Sequence, residues 1–257
     1  MLAGAHAFAA SAEDPQSEST SKSPLPPDTP STARPVNWKS FAPNILHDQK
    51  SIWTFPSQIA HGRHWKPALG VTAAVGVLVA LDAYDTPYFR RTSAFSGFNR
   101  GLSGRNTALA FSVFPVSFYA LGQVRKDPYA TQTSLLSAEA SADAEILAWV
   151  FKTGTGRLRP EDIPPGGNYA NSWFKSYRSP LAGHGSFPSG HTIAAFSIAT
   201  VFARRYGSHR WVPWVAYGAA SLIGFSRITL QAHFPSGVFA GAAFGYAISR
   251  YAVLRGR

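Results

Sequence analysis

The chain has no cysteine. Disulfides, thiolate metal sites and a cysteine nucleophile are thereby excluded, and the redox compartment cannot be read from it. It also has no phosphate-binding Walker loop. Carboxylates are scarce: Asp and Glu number 13 in 257 residues against 24 Lys and Arg, for a net charge of +11. No carboxylate follows Asp162, whereas nine basic residues do: Lys175, Arg178, Arg204, Arg205, Arg210, Arg227, Arg250, Arg255 and Arg257. The first 162 residues carry the remaining +2. A wholly basic C-terminal part expects anionic partners, such as phosphate or anionic head groups. Nucleic acid fits poorly, because the basic residues are dispersed among apolar segments rather than gathered into a stripe. Strand signals are weak throughout, so the expected class is all-α.

What is there divides into three parts. Residues 1–36 comprise a signal-like start and a tail. The start, to about Ala12, is Ala-rich and ends in Ala-Ser-Ala. It reads either as a secretory signal shortened at its front or as a merely apolar beginning. Residues 13–36 are rich in Ser, Pro and Thr with no aromatic residue, a composition expected to remain disordered. Residues 37–62 hold Trp38, Phe41, Ile45, Ile52, Trp53 and Phe55, an amphipathic approach segment lying on the core or on a membrane surface. Residues 63–257 form the helical domain. Six apolar candidates cover about 67–83, 106–123, 132–152, 189–205, 211–226 and 236–254. Their lengths are at the low end for a bilayer span. Their Ala, Gly and Ser suit close helix packing. The third carries Glu139, Asp143 and Glu145, which inside a membrane would have to face the bundle interior. Arg125 and Lys126, Arg204, Arg205 and Arg210, and Arg250 and Arg255 would share one face of an up-and-down bundle, the cytoplasmic one by their number, while the opposite face carries Arg90, Arg91 and Arg100. A soluble helical globule is the alternative.

Three blocks carry chemistry. They are Lys152-Thr-Gly-Thr-Gly-Arg-Leu-Arg159-Pro160, Phe187-Pro188-Ser189-Gly190-His191-Thr192, and Ser226-Arg227 followed after five residues by His233-Phe-Pro-Ser-Gly237. Lys152 ends an apolar helix, and Gly154 and Gly156 are expected to break it so that Arg159 turns back toward the same anion. A Lys point charge and an Arg fork make a good phosphate grip. Ser189 sits where a helix N-cap is expected. The Gly190 and His191 N–H groups would point out of that helix start, where anions bind readily. His191 in the first turn can donate a proton to a leaving oxygen. His233, near the basic cluster, is placed to attack phosphorus. Arg157 either assists Arg159 or faces solvent. His184 either lines the entrance or is an ordinary loop histidine. Trp173, Phe174 and Tyr177 sit at an interface near the site or pack the loop.

In order and spacing, the three blocks resemble the signature of the type 2 phosphatidic acid phosphatase superfamily, which also holds vanadium haloperoxidases and bacterial class A acid phosphatases. The pattern is Lys, six residues, Arg-Pro; then Pro-Ser-Gly-His; then Ser-Arg, five residues, His, three residues, Asp. It covers residues 152–237 directly, and the six helices fit the wider domain. The resemblance implies a membrane-embedded six-helix bundle and a phosphatase. In it His233 would form a phosphohistidine and His191 would protonate the leaving group. Lys152, Arg159, Ser189, Gly190 and Arg227 would hold the phosphoryl oxygens. It implies no metal or other cofactor, with vanadate as an inhibitor or, in the haloperoxidase branch, a cofactor. The expected substrate is a lipid phosphate or pyrophosphate, with the site on the extracytoplasmic side of a multi-pass protein. A secreted acid phosphatase of broad specificity is the second reading.

The sequence departs from the pattern at its last position, where the family Asp is Gly237. That Asp orients the nucleophilic imidazole. Loss of an orienting carboxylate costs roughly 10⁴ in the serine-protease template, and less where another acceptor takes over. Glu145, two helical turns before Lys152, is the first candidate substitute. Asp162, Glu161 or a backbone carbonyl are the others. Without a substitute, the chain would bind phosphate or lipid and turn nothing over.

Overall fold

The computed structural model describes residue 34, residues 36–176 and residues 185–255. The apolar start, most of the polar tail, Tyr177, Arg178 and His184 lie outside the described residues.

Eight α-helices occur among the described residues, where six were expected. They are α1 Trp38–Ala60, α2 Trp65–Arg91, α3 Ser96–Gly101, α4 Gly104–Val124, α5 Pro128–Thr155, α6 Gly190–Arg205, α7 Trp211–Thr229 and α8 Pro235–Ile248. A 3₁₀ turn, Pro160–Asp162, follows α5, and a π-helical turn, Ser249–Val253, continues α8. No strand occurs among the described residues.

The two additional helices have local causes. The approach segment is one continuous helix because Asn37 caps it reciprocally. Its side chain accepts from Ser40 N–H, and its own N–H donates to the Ser40 hydroxyl. Two donors that the first turn leaves open are thus satisfied. The short α3 occupies the connection that the sequence reading left blank between α2 and α4. Helix α5 begins where Asp127 accepts from the Tyr129 and Ala130 N–H groups, with Pro128 at its first position. It ends at Gly156, whose φ of 47° is left-handed. Gly154 lies inside α5, so Gly156 alone turns the chain, contrary to the expectation for both.

Helix α6 is the hub, packed against α5, α7 and α8. Leu135, Leu136, Ala140, Ala144, Ile193, Val201 and Ile248 are buried between these helices. The backbones of α6 and α8 approach closely. A Cβ on Gly245 would lie 2.4 Å from the Ile193 carbonyl oxygen, and one on Gly241 would lie 2.9 Å from that of Ser189. Close contact of this kind is how small residues join helices where lipid removes the hydrophobic drive.

Helices α2 and α4 are long and apolar enough to cross a membrane. Only 6% and 17% of their apolar windows are buried inside the protein, so they are not core helices. Leu69, Val77 and Leu81 on α2, and Val113, Val116 and Leu121 on α4, face outward. Two acids of α5 do face inward. Glu139 and Asp143 are buried, and Asn44 and Gln49 of α1 donate to them at 2.9 Å each. Glu145 is exposed. Arg34, within the segment expected to be disordered, is also buried. It bridges Asp48 of α1 and Glu139 of α5, so the tail is anchored at this end.

Gly245→Ala should therefore force α6 and α8 apart and destabilise the protein by about 1–3 kcal/mol. Gly218→Ala on α7, with nothing within 4 Å, should be neutral or mildly stabilising. Thermal unfolding in detergent of both variants checks the contrast.

Candidate active site

The ends of four helices meet at one pole: the C-termini of α5 and α7 and the N-termini of α6 and α8. Each brings one part of the sequence blocks. Lys152 lies in the last turn of α5. Ser189 is the N-cap of α6, accepting from the Thr192 N–H and, at 2.8 Å, from the Thr192 hydroxyl. The Gly190 backbone is pressed against Lys152: a Cβ there would lie 2.8 Å from Lys152 Nζ. Only glycine lets the ammonium sit over the start of α6, where unpaired N–H groups already favour an anion. Arg159 is half-exposed, its guanidinium 3.3 Å from Glu161. The Glu161 N–H donates to the Gln231 carbonyl at 3.0 Å, tying the first block to the loop before His233.

Arg227, in the last turn of α7, is buried without a carboxylate partner among the described residues. Neutral acceptors hold its guanidinium: the Ser226 hydroxyl at 2.8 Å and the Leu102 carbonyl. The Arg227 carbonyl in turn accepts from the N–H groups of Ala232 and His233, at 3.0 and 3.1 Å. The turn carrying His233 is thus fastened to Arg227.

The two histidines are set by backbone carbonyls. His233 Nδ1 lies 2.8 Å from the Ser186 carbonyl oxygen, and His191 Nε2 lies 3.1 Å from that of Gly104. A carbonyl oxygen only accepts, so each of these nitrogens carries a hydrogen. His233 then keeps its lone pair on Nε2, and His191 keeps its proton on Nε2. One has a free lone pair and the other an N–H at the same ring position. Burial pushes the His233 pKa well below its ordinary value of 6.5. The Ser186 hydrogen bond opposes that shift, while Lys152, Arg159 and His191 add to it. As pH falls from 6.5, the unfolded chain takes up a proton that folded His233 refuses, so its contribution to stability declines.

The expected site residues therefore gather, with one exception. Glu145 was the first candidate to orient His233, but the Ser186 carbonyl occupies that place, and a backbone carbonyl was among the alternatives. The Glu145 carboxylate lies instead beside Lys152, against Gly190. Among the described residues, no three His, Asp or Glu side chains gather where they could hold a metal ion.

The model of the PAP2 superfamily matches residues 133–255. This segment belongs to the PAP2 superfamily. A lipid A 1-phosphatase of Porphyromonas gingivalis is 40% identical over 95 residues, 37% of this chain and 17% of that protein. A lipid A 1-phosphatase of Rhizobium etli is 34% identical over 104 residues, 39% of this chain and 40% of that one. These matches thus span less than half of either relative. A solved transmembrane PAP2 type phosphatidylglycerolphosphate phosphatase from Bacillus subtilis is 20% identical, with a TM-score of 0.41 over 79% of this chain and 92% of that chain.

Sequence reasoning missed a buried network beneath the PAP2 site. Arg157 donates to Asp82 of α2, to Ser236 and to Ser172, at 2.8, 2.8 and 3.1 Å. Its guanidinium lies 3.8 Å from the Phe234 ring centre and 4.2 Å from that of Trp173. Asp82 also accepts from the Ser236 hydroxyl and, at 3.1 Å, from the Ser236 N–H, capping the start of α8. Arg157 is therefore a structural clamp, neither a solvent residue nor a partner of Arg159, and Trp173 packs it. The signal was present: Asp82 is the first carboxylate to interrupt a long apolar run, a position that commonly marks a buried pair.

Asp82→Ala would leave Arg157 as a buried, uncompensated charge and should cost about 3–5 kcal/mol. Asp82→Ala combined with Arg157→Met should recover part of that loss. Thermal unfolding of the single and double variants decides.

Proposed function

We propose that the protein is a phosphatase that hydrolyses the phosphate ester or pyrophosphate of a lipid through a phosphohistidine at His233. The observation that carries this reading is the complementary state of the two histidines. His233 offers a lone pair at Nε2 and His191 a proton at Nε2, beside Lys152, Arg159 and the start of α6.

The first step forms a bond from His233 Nε2 to phosphorus as the bond from phosphorus to the leaving oxygen breaks. That oxygen takes the Nε2 proton of His191 in its imidazolium form, which burial makes more acidic and which is left as neutral imidazole, and departs as an alcohol or a phosphate. To reach His191, it must displace the Gly104 carbonyl, so the segment 102–104 shifts or the imidazole turns. In the second step water attacks phosphorus, giving its proton to His191, and the N–P bond breaks to release phosphate. Charge spreading over the equatorial oxygens is met by Lys152, Arg159, Arg227 and the α6 N–H groups. The steps as written need no metal. Vanadate, which copies the five-coordinate geometry, should inhibit.

Two features support a lipid substrate. The outward apolar faces of α2 and α4 suit a bilayer. The relatives named above are lipid A 1-phosphatases. The site then faces the extracytoplasmic side, because Arg125, Arg204, Arg210 and Arg250 lie at the opposite helix ends. Arg205 is not among those surface charges: it is buried, its guanidinium 4.0 Å from the Tyr129 ring centre.

Detergent-purified protein should release phosphate from at least one of lipid A, phosphatidic acid and an isoprenoid pyrophosphate. His233→Ala should reduce that release by about 10³-fold or more. Release that survives His233→Ala, or no release from any of them, would sink the reading. With His233 neutral well below pH 6.5, the acid limb of kcat/KM should fall at a lower pH than an ordinary histidine gives. A limb centred on 6.5 would contradict its neutral, desolvated state.

A further inference from the structure

We propose that the Ser186 backbone carbonyl is the positioning group for His233, and that Gly237 is a glycine because a side chain there would displace that carbonyl. The inference rests on the phosphatase reading only for its kinetic readout.

The carbonyl is fixed on every side. The Ser186 N–H donates to the Arg157 carbonyl at 2.8 Å, and the Ser186 hydroxyl donates to the Leu158 carbonyl at 2.6 Å. Arg157 is itself locked by Asp82, Ser172 and Ser236. The Ser189 N–H donates to the Gly237 carbonyl at 2.9 Å, drawing the start of α8 against the same loop. A Cβ built on Gly237 lies 3.0 Å from the Ser186 oxygen, with the Phe187 ring next at 3.7 Å. The oxygen that accepts from His233 Nδ1 thus occupies the space into which a residue at 237 would project. To make room it must give by a few tenths of an ångström, against the anchors on its own N–H and hydroxyl. Carbonyl and carboxylate are alternative solutions for one position, and this chain has the first.

The substitution has a chemical consequence. A carboxylate at Nδ1 would favour the imidazolium, whereas a carbonyl holds the tautomer without adding a negative charge. The charged groups around His233 are Lys152 and Arg159 from α5 and its following loop, and His191 from α6. Asp82 of α2 acts on Arg157 and Ser236, and Glu145 of α5 lies beside Lys152. Among the described residues no carboxylate bonds His233, whose Nδ1 meets the Ser186 carbonyl. The contact therefore orients the nucleophile, while burial keeps it neutral.

The test combines spectroscopy with kinetics. In detergent-solubilised full-length protein with ¹⁵N-labelled histidine, His233 should appear as the neutral tautomer with hydrogen on Nδ1, its signal assigned by its loss in His233→Gln. Gly237→Ala should shift that signal and lower kcat by roughly ten- to a hundredfold, the cost of a misplaced reacting group, with KM little changed. Ser186→Ala, which frees the carbonyl from Leu158, should lower kcat less. In the double variant the losses should be less than additive, because a loosened carbonyl accommodates the new Cβ. Vanadate binding by each variant reports whether the site is still folded. Hydrogen on Nε2 of wild-type His233 would overturn the proposal. So would wild-type kcat and an unmoved Nδ1 signal in Gly237→Ala. A Gly237→Asp variant faster than wild type, with its acid limb moved to higher pH, would show that a carboxylate serves better there and would overturn it too. If wild type hydrolyses none of the lipid phosphates, the phosphatase reading fails, while the tautomer measurement still decides this one.

Discussion

One carboxylate, Asp82, joins the outward-facing apolar helix α2 to the floor of the candidate site. The chain has no acid after Asp162, so its C-terminal cations must find countercharge elsewhere or do without. Asp82 is spent on Arg157, which precedes Asp162, and on capping α8 through Ser236. Arg159 has Glu161 and Lys152 has Glu145 beside it, whereas Arg227 and both histidines rely on neutral oxygens. Carbonyls of Leu102, Gly104 and Ser186 hold Arg227, His191 and His233, and hydroxyls complete the set. A buried cation held by neutral oxygens alone, as Arg227 is, is poised for an external anion. A built-in carboxylate would compete with the phosphoryl group for the same charges.

That economy also explains the two histidines. Each imidazole has one nitrogen occupied by a backbone carbonyl, and the choice of nitrogen differs between them. The difference assigns opposite roles without any change in residue type. It also links catalysis to the fold, because the carbonyls belong to segments fastened by the core: Ser186 through Arg157 and Leu158, and Gly104 at the start of α4.

Much of this was legible in the sequence. Ser189 before an apolar run declared the cap of α6, and the spacing of Lys152, Arg159, His191, Arg227 and His233 declared the meeting of four helix ends. Pattern periodicity located the six long apolar segments. It did not locate α1, whose start depends on a reciprocal side-chain cap between Asn37 and Ser40, nor α3, which is too short to show a period. The contact of Asp82 with Ser236 spans 154 residues, and no local pattern encodes it. Ser186 escaped notice because its role is played by a backbone oxygen, to which side-chain identity is silent. Gly237 was visible only as a departure. The structure gives it a positive reading as the residue that leaves room for that oxygen.

The central claim is that His233 attacks phosphorus through Nε2. Its most direct test is rapid acid-free quenching of the full-length protein during turnover of a phosphate-labelled lipid, followed by mass spectrometry and ³¹P NMR of the trapped protein. The account predicts one phosphoryl group per active site, bonded to Nε2 of His233. Phosphate on His191, attachment through Nδ1 of His233, or steady turnover with no phosphorylated protein in the quench would contradict it.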